Sequence, residues 1–387
     1  MRILYFSRDY TTHDRRFLAK ICERHEAFYL RLEDDGIVYD RRSVPDGVRV
    51  VPWAGGKDRL VAPESWLRLM PAYQKVIDQI RPDLIHAGPV QSCGFMTALS
   101  GFHPFLLMSW GSDILVDADR DEFWRWMTCH ALTRADVFLC DSDEVVRRAG
   151  DLASYPRERV VQFPWGVDVR TFSPGEDTLQ LRTRLGWQDC FLVMSSRAWE
   201  ANYGVDTLID AFRRALDANP RLRLILAGDG SRAERLQRRI DELNLRSFIC
   251  LPGMISQAEM PLYFRAADLY VSCASSDGSS ISLLEAMATG LPVAVTDRPS
   301  NREWVTPGEN GWVVAADSPE CFAEAMLSAA DLDAAERARM AACSRRIVEC
   351  RGNADANFAR LFAAYDRMER ASPAATLANR SLAGAHG

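Results

Sequence analysis

Residues 275 to 297 read SSDGSSISLLEAMATGLPVAVTD, and two acids, a run of small polar residues and an apolar stretch share that window. Ile281, Leu283, Leu284 and Met287 recur at helical spacing and the pattern stops at Gly290, which predicts a short helix with Ser279 or Ser280 as its N-cap. The preceding run DLYVSC reads as a buried strand, so the helix would begin at the carboxyl edge of a sheet. Amides at the positive end of a helix attract anions, phosphate above all. Asp277 and Glu285 flank that point, and since carboxylates repel phosphate, their chemistry is to accept hydrogen bonds from hydroxyl groups. A molecule with a phosphate core and a hydroxylated ring at each end, such as a nucleotide sugar, would satisfy helix and acids together. A plainer reading fits the same spacing: two serine caps, two solvated acids and a helix that only fills a core.

Other chemistries are excluded by what the sequence lacks. No GxGxxG follows the first strand candidate RILYF, and GDGS at 228–231 has two glycines without the third, which argues against a nicotinamide or flavin site. There is no GxxxxGK[ST], HExxH or GxSxG. The six histidines are dispersed and the ten cysteines form no CxxC pair, so no metal is expected and free thiols in a reducing compartment fit best. A net charge of -6 argues against a nucleic-acid partner. The basic cluster DRRFLAK suits either anionic headgroups or a solvated helix face. MRILYF enters a strand directly, leaving no room for a signal peptide, and no apolar run approaches the length of a membrane span. The expectation is a cytoplasmic protein, with peripheral contact at the inner face of the plasma membrane left open.

The elements that must position this window repeat one rhythm. Short apolar runs alternate with amphipathic stretches, the mark of β-α units around parallel sheets. Strand candidates in the first half lie at 2–6, 27–32, 48–52, 83–87, 105–110, 137–141 and 159–164, with helices around 63–80, 121–134 and 143–153. After the polar break GVDVRTFSPGED at 166–177 the rhythm restarts, with strands at 190–196, 222–228, 248–253, 268–273, 291–297 and 311–315 and helix-like segments from 317 to 371. The fold class expected is α/β, with two doubly wound domains over 1–168 and 169–355 and a ligand in the cleft between them. A helix at 356–371 and a small, polar, disordered tail at 372–387 complete the chain.

With these segments in view, the chain resembles the retaining GT-B glycosyltransferases of family 4, the glycosyl transferases group 1. The family signature, an acid followed after seven residues by Glu and running into EAMA.GLPV, reads here as Asp277, Glu285 and AMATGLPVAVTD. LTRADVFLCDS, FPWGVDVRTFSP, GVDTLIDAF, LRLILAGDGS, LPGMISQAEMPLYFRAADLYVS and NREWVTPGENGWVV are similar to the family's segments and follow its order, together spanning roughly 130 to 315. The resemblance implies two Rossmann-like domains, the first on the acceptor side and the second binding the nucleotide sugar, with the 356–371 helix crossing back to the first. It implies that Glu285 holds the ribose hydroxyls and Asp277 lies beside the sugar's 3- and 4-hydroxyls. Amides of Gly278, Ser279 and Ser280 would line the sugar, those of Ile281 and Ser282 the distal phosphate, and the base would lie near Gly230 and Met254. Arg197 matches the arginine that neutralises the diphosphate leaving group, and with Asp277 and Asp113 it forms the implied catalytic set.

Several positions depart from the family pattern. The lysine that usually follows the arginine is missing from RAWEANYG, so Asn202, Tyr203 or an N-domain arginine such as Arg8 would have to compensate. The first acid is Asp rather than Glu, one methylene shorter, and Ser280 stands where Gly is common. In SWGSDIL, Trp110 replaces a histidine, leaving it either to stack on a sugar or to fill a core, while Asp113 remains. His13 and Asp14 in the first loop are acceptor-side candidates, with a capping Asp14 beside a solvated His13 as the alternative.

The implied reaction is retaining transfer of a sugar from a nucleotide sugar, UDP-linked first and GDP-mannose next, to an acceptor hydroxyl. No metal or cofactor is implied beyond that donor; the acceptor is a glycan, a lipid-linked molecule or a small molecule. The alternatives are a non-catalytic nucleotide-sugar binder and a sugar-nucleotide epimerase of the same architecture. A phosphorylase-like enzyme needs a pyridoxal lysine, and Lys20, Lys57 and Lys75 are the only lysines.

Overall fold

Runs of Ile, Leu, Val and Phe too short for helices form parallel strands buried on both faces, with amphipathic helices covering each sheet. The computed structural model describes residues 1–34, 36, 42–59, 63–175, 178–275 and 278–371. It divides into two compact units, one of Met1–Phe163 together with the chain from Phe358 onward, the other of Pro164–Asn357. The expected tail at 372–387 lies outside the described residues.

The first unit is built on β1 (Arg2–Ser7), β2 (Glu26–Arg31), β3 (Val48–Val50), β4 (Leu84–Gly88), β5 (Phe105–Met108), β6 (Val137–Cys140) and β7 (Val160–Gln162). They form a seven-stranded sheet in the order β3-β2-β1-β4-β5-β6-β7, every pair parallel. Alternate residues of β1 serve its two faces: Leu4 and Phe6 enter the main core with Leu30, Ile85 and Leu107, while Tyr5 packs edge-on against His86 at 4.9 Å. On that second face lie the helix Thr12–Cys22 and, from Phe358 onward, the helix Ala354–Ala371. Phe358 meets Phe17, and the hydroxyl of Tyr365 lies 2.6 Å from Nδ1 of the fully buried His86. Burial pushes the His86 imidazole down to about 3, so it is neutral in the folded protein.

The second unit repeats the plan with β8 (Phe191–Ser195), β9 (Leu222–Leu226), β10 (Ile249–Cys250), β11 (Leu269–Ser272), β12 (Val293–Thr296) and β13 (Gly311–Val314), in the order β10-β9-β8-β11-β12-β13. Val193 joins one core cluster with Phe212 and Leu224, while its neighbours Leu192 and Met194 join another with Tyr270 and Leu284. Each of these thirteen strands overlaps one of the sequence-expected runs, with β1, β2 and β4 passing its bounds by one residue.

One expectation needs correction. The single helix anticipated at 63–80 is two, Pro63–Arg68 and Met70–Ile80. Pro71 near the start of the second has no amide to donate, so one hydrogen-bonded rod cannot run through it. The polar break near 170 is tied into the second unit. Asp168 caps the following turn through Arg170 and Thr171, Phe172 packs against Phe264, and Arg345 donates to the carbonyls of Val169, Phe172 and Ala288. Among the described residues no helix is long and apolar enough to cross a membrane.

Candidate functional site

In a doubly wound sheet the strand order reverses between two central strands, and the loops leaving their carboxyl ends diverge to open a crevice. In the second unit those strands are β8 and β11. The loop after β8 carries Arg197; the loop after β11 leads into the helix Ile281–Ala288. The two loops are tied together where Ser275 donates its backbone N–H to the Asn202 carbonyl at 2.8 Å. Gly204 lets them approach: at φ +61 it has no Cβ, which would stand 2.3 Å from the Cys273 carbonyl oxygen. Asn202 therefore contributes its main chain to this arrangement.

Arg197 is 8% exposed. Its Nη1 donates to the hydroxyls of Ser280 and Ser282, the latter at 2.9 Å. Ser282 also accepts from the Tyr270 hydroxyl at 2.8 Å, and the guanidinium carbon lies 4.2 Å from the centroid of the Tyr203 ring. Ser280 occupies the N-cap position, but its side chain makes no capping bond. Ser279 accepts from the Trp304 indole at 3.3 Å. The expectation that one of these serines caps the helix is thus corrected: Ser280 is turned to Arg197 instead. The consequence is electrostatic. A buried guanidinium and the positive end of a helix whose first turn carries no acid are held together, an arrangement that favours an incoming anion.

Farther along that helix Glu285 is 3% exposed and accepts from the Gln257 side chain at 2.9 Å. It is therefore not the solvated acid of the plainer reading. Gly278, Ser279 and Ser280 are buried, and Ile281 and Ser282 are half-buried. Asp277 lies outside the described residues.

The GDGS run has a packing cause. A Cβ on Gly228 would stand 2.3 Å from the Arg197 carbonyl oxygen, and one on Gly230 2.7 Å from that of Trp199. Glu200 then accepts from the Ser231 amide at 2.7 Å, joining the loops after β8 and β9. The Gly228 amide donates to Gly253, bringing in the loop after β10, on which Met254 is exposed. Sequence reasoning missed Gln257, Tyr270 and Trp304. Gln257 sits in the segment LPGMISQAEM, but nothing in its type marks it as a partner of Glu285.

The remaining candidates belong to the first unit. Arg8, just after β1, pairs with the buried Glu33 just after β2. Asp14 completes a capping box with Thr11 and accepts from the Tyr5 hydroxyl at 3.0 Å; burial raises its carboxyl above the ordinary range. His13 is half-buried rather than solvated, its ring 5.3 Å from that of Trp110. Asp113 is 2% exposed and anchors its own loop: one oxygen accepts from the Ser109 hydroxyl and the Ile114 amide, the other from the amides of Val90 and Trp110. Burial pushes its carboxyl up to about 6.

Known proteins bear on both units. The family model "Glycosyl transferase 4-like" matches residues 2–142, and "Glycosyl transferases group 1" matches 180–346. The lipopolysaccharide core biosynthesis mannosyltransferase LpsB of Rhizobium meliloti is 30% identical over 211 residues, covering 52% of this chain and 58% of that protein. The alpha-monoglucosyldiacylglycerol synthase of Streptococcus pneumoniae is 29% identical over 171 residues, covering 42% and 38%. The chain thus spans less than two thirds of the length of these curated relatives. In fold it is similar to sucrose-phosphate synthase from Thermosynechococcus elongatus, with a TM-score of 0.82 at 18% identity over 96% of this chain and 100% of that one. Anabaena HepE in complex with UDP gives a TM-score of 0.78 at 19% identity, covering 95% and 100%. With one glycosyltransferase model on each parallel-sheet unit, the chain belongs to the group 1 glycosyltransferases, with the two α/β domains of the GT-B fold.

Proposed function

We propose that the protein transfers a glycosyl group, with retention of configuration, from a nucleoside-diphosphate sugar to an acceptor hydroxyl. The observation that carries this reading is the meeting of the Arg197 guanidinium with the N-terminus of the helix Ile281–Ala288, with Glu285 buried on the same helix. The helix amides of Ile281 and Ser282 receive the distal phosphate. Arg197 stabilises the charge that gathers on the phosphate oxygens as the glycosidic bond breaks. Glu285 accepts from the ribose hydroxyls, exchanging or sharing its bond to Gln257, and Gly230 and Met254 lie toward the base. The sugar hydroxyls fall to Asp277 by the resemblance alone, since that residue lies outside the described ones. In the first unit Asp113 fixes the Trp110 loop, Asp14 caps its helix, and Arg8, His13 and Trp110 are the acceptor-side candidates.

A UDP-sugar is the first donor to try, supported by HepE, whose structures hold UDP and UDP-glucose. GDP-mannose is next, supported by a relative from Corynebacterium glutamicum named as a GDP-mannose-dependent mannosyltransferase, 28% identical over 228 residues. The acceptor hydroxyl belongs to a glycan, a lipid-linked molecule or a small molecule. Because the arginine and the helix amides supply the positive charge, no cation is required.

The test is a thermal-shift screen against UDP-, GDP-, ADP- and dTDP-sugars, followed by release of the nucleoside diphosphate in the presence of acceptors, with and without EDTA. Stabilisation by one donor, acceptor-dependent release insensitive to EDTA and a product anomer matching the donor are expected. Donor binding with no release on any acceptor would replace the transferase with a nucleotide-sugar binder.

A further inference from the structure

We infer that Tyr203 is a positioning residue for Arg197, holding the guanidinium flat at the phosphate end of the donor site; this rests on the donor site proposed above. An arginine that must meet a phosphate at the moment of bond breaking gains from being fixed beforehand, since reorientation then adds nothing to the barrier. Two restraints act on this one. Its Nη1 edge is held by the Ser280 and Ser282 hydroxyls, and Ser282 is itself fixed by Tyr270, a fully buried residue of β11. Its guanidinium carbon lies over the Tyr203 ring, 4.2 Å from the centroid. A ring under the guanidinium adds a restraint out of the plane that in-plane hydrogen bonds supply weakly.

The ring is well founded. Tyr203 packs against the core of the second unit, its amide donates to the Glu200 carbonyl at 3.2 Å, and the following Gly204, at φ +61, pins its loop against Cys273. Tyr203 also stands in RAWEANYG immediately before the glycine, where the resemblance leads one to expect a lysine. A lysine there would add a second point charge. An aromatic ring adds no charge but orders the one cation already present, and guanidinium, being planar, is the cation that stacks well on such a ring.

The experiment compares binding of UDP and UMP, and of GDP and GMP, to wild type, Tyr203→Phe, Tyr203→Leu, Arg197→Ala and the Arg197→Ala/Tyr203→Leu double variant, each checked for an unchanged circular-dichroism spectrum. Leucine keeps apolar bulk over the core but cannot stack as an aromatic does. Tyr203→Leu should weaken diphosphate binding about tenfold while changing monophosphate binding less than twofold. Tyr203→Phe should leave both within twofold, and in the Arg197→Ala background the leucine should add less than twofold. Equal losses for diphosphate and monophosphate would overturn the inference, as would a Tyr203→Phe variant as weak as Tyr203→Leu, or a full additional loss in the double variant. If wild type binds neither UDP nor GDP, the donor-site reading fails at its root; if it binds and only the variant pattern fails, Tyr203 alone is misassigned.

Discussion

At the scale of single residues, the proposed function gives Arg197 and Glu285 different parts of the donor, and their replacement should separate kinetically. In that proposal Arg197 meets charge that develops during the reaction, so Arg197→Ala should lower kcat by about 10²–10³ with a much smaller change in donor KM. Glu285 meets hydroxyls present throughout, so Glu285→Ala should raise donor KM and weaken binding of the free nucleotide about tenfold. Steady-state kinetics and calorimetry check both, and unchanged constants in the two variants would remove the site from this helix. Both residues were legible because their segments match a known pattern. Their partners were not. Gln257 lies 28 positions from Glu285 and Ser280 lies 83 from Arg197, so the bonds between them follow from strand order, which no local spacing encodes. The serines misled for a related reason, since a hydroxyl before a helix is a cap only if nothing stronger competes for it, and here a guanidinium does.

Elements were more readable than contacts. Strands buried on both faces leave an apolar run of four to six residues that few other structures imitate, and β4, β6, β8 and β11 all stand where such runs occur. Helix ends were harder, because capping depends on side-chain direction. This yields a paired prediction. Thr11 caps the helix Thr12–Cys22 in a full capping box with Asp14, so Thr11→Ala should cost about 1 kcal/mol of stability in denaturant unfolding. Ser280 makes no capping bond, so Ser280→Ala should cost less than about 0.5 kcal/mol while still weakening nucleoside-diphosphate binding through the loss of an Arg197 partner. A Ser280→Ala variant as destabilised as Thr11→Ala would contradict that distinction.

At the scale of the whole molecule, stability should depend on pH through two buried groups of the first unit with opposite signs. His86 falls to about 3 in the folded state against about 6.5 when unfolded. The unfolded chain therefore binds the extra proton, and stability is lost as pH falls from about 6.5 toward 3, by on the order of 5 kcal/mol. Asp113 rises to about 6 against about 3.9 unfolded. Its folded form takes up the proton first, and stability is gained as pH falls from about 6 to 4. The two slopes should largely offset between 6 and 4, leaving the histidine's loss dominant below 4. Urea unfolding across this range should show His86→Phe flattening the loss and Asp113→Asn steepening it between 6 and 4; parallel curves for all three proteins would refute the assignment.

The first unit is completed by residues from Phe358 onward, whose Phe358 and Tyr365 pack against Phe17 and His86. On the ribosome this sets an order of events. The second unit, contiguous from Pro164 to Asn357, can close as it emerges, while the first must wait with one face of its sheet uncovered. Roughly 190 residues separate its two pieces, and at about 5–20 residues per second that is about 10–40 s of exposure. A fragment of residues 1–163 should accordingly bind a hydrophobic dye and resist cooperative unfolding, and a peptide of residues 354–371 supplied in trans should quench the dye and restore a transition. A transition restored by that peptide would make the segment a late-arriving latch on the folding of the first unit.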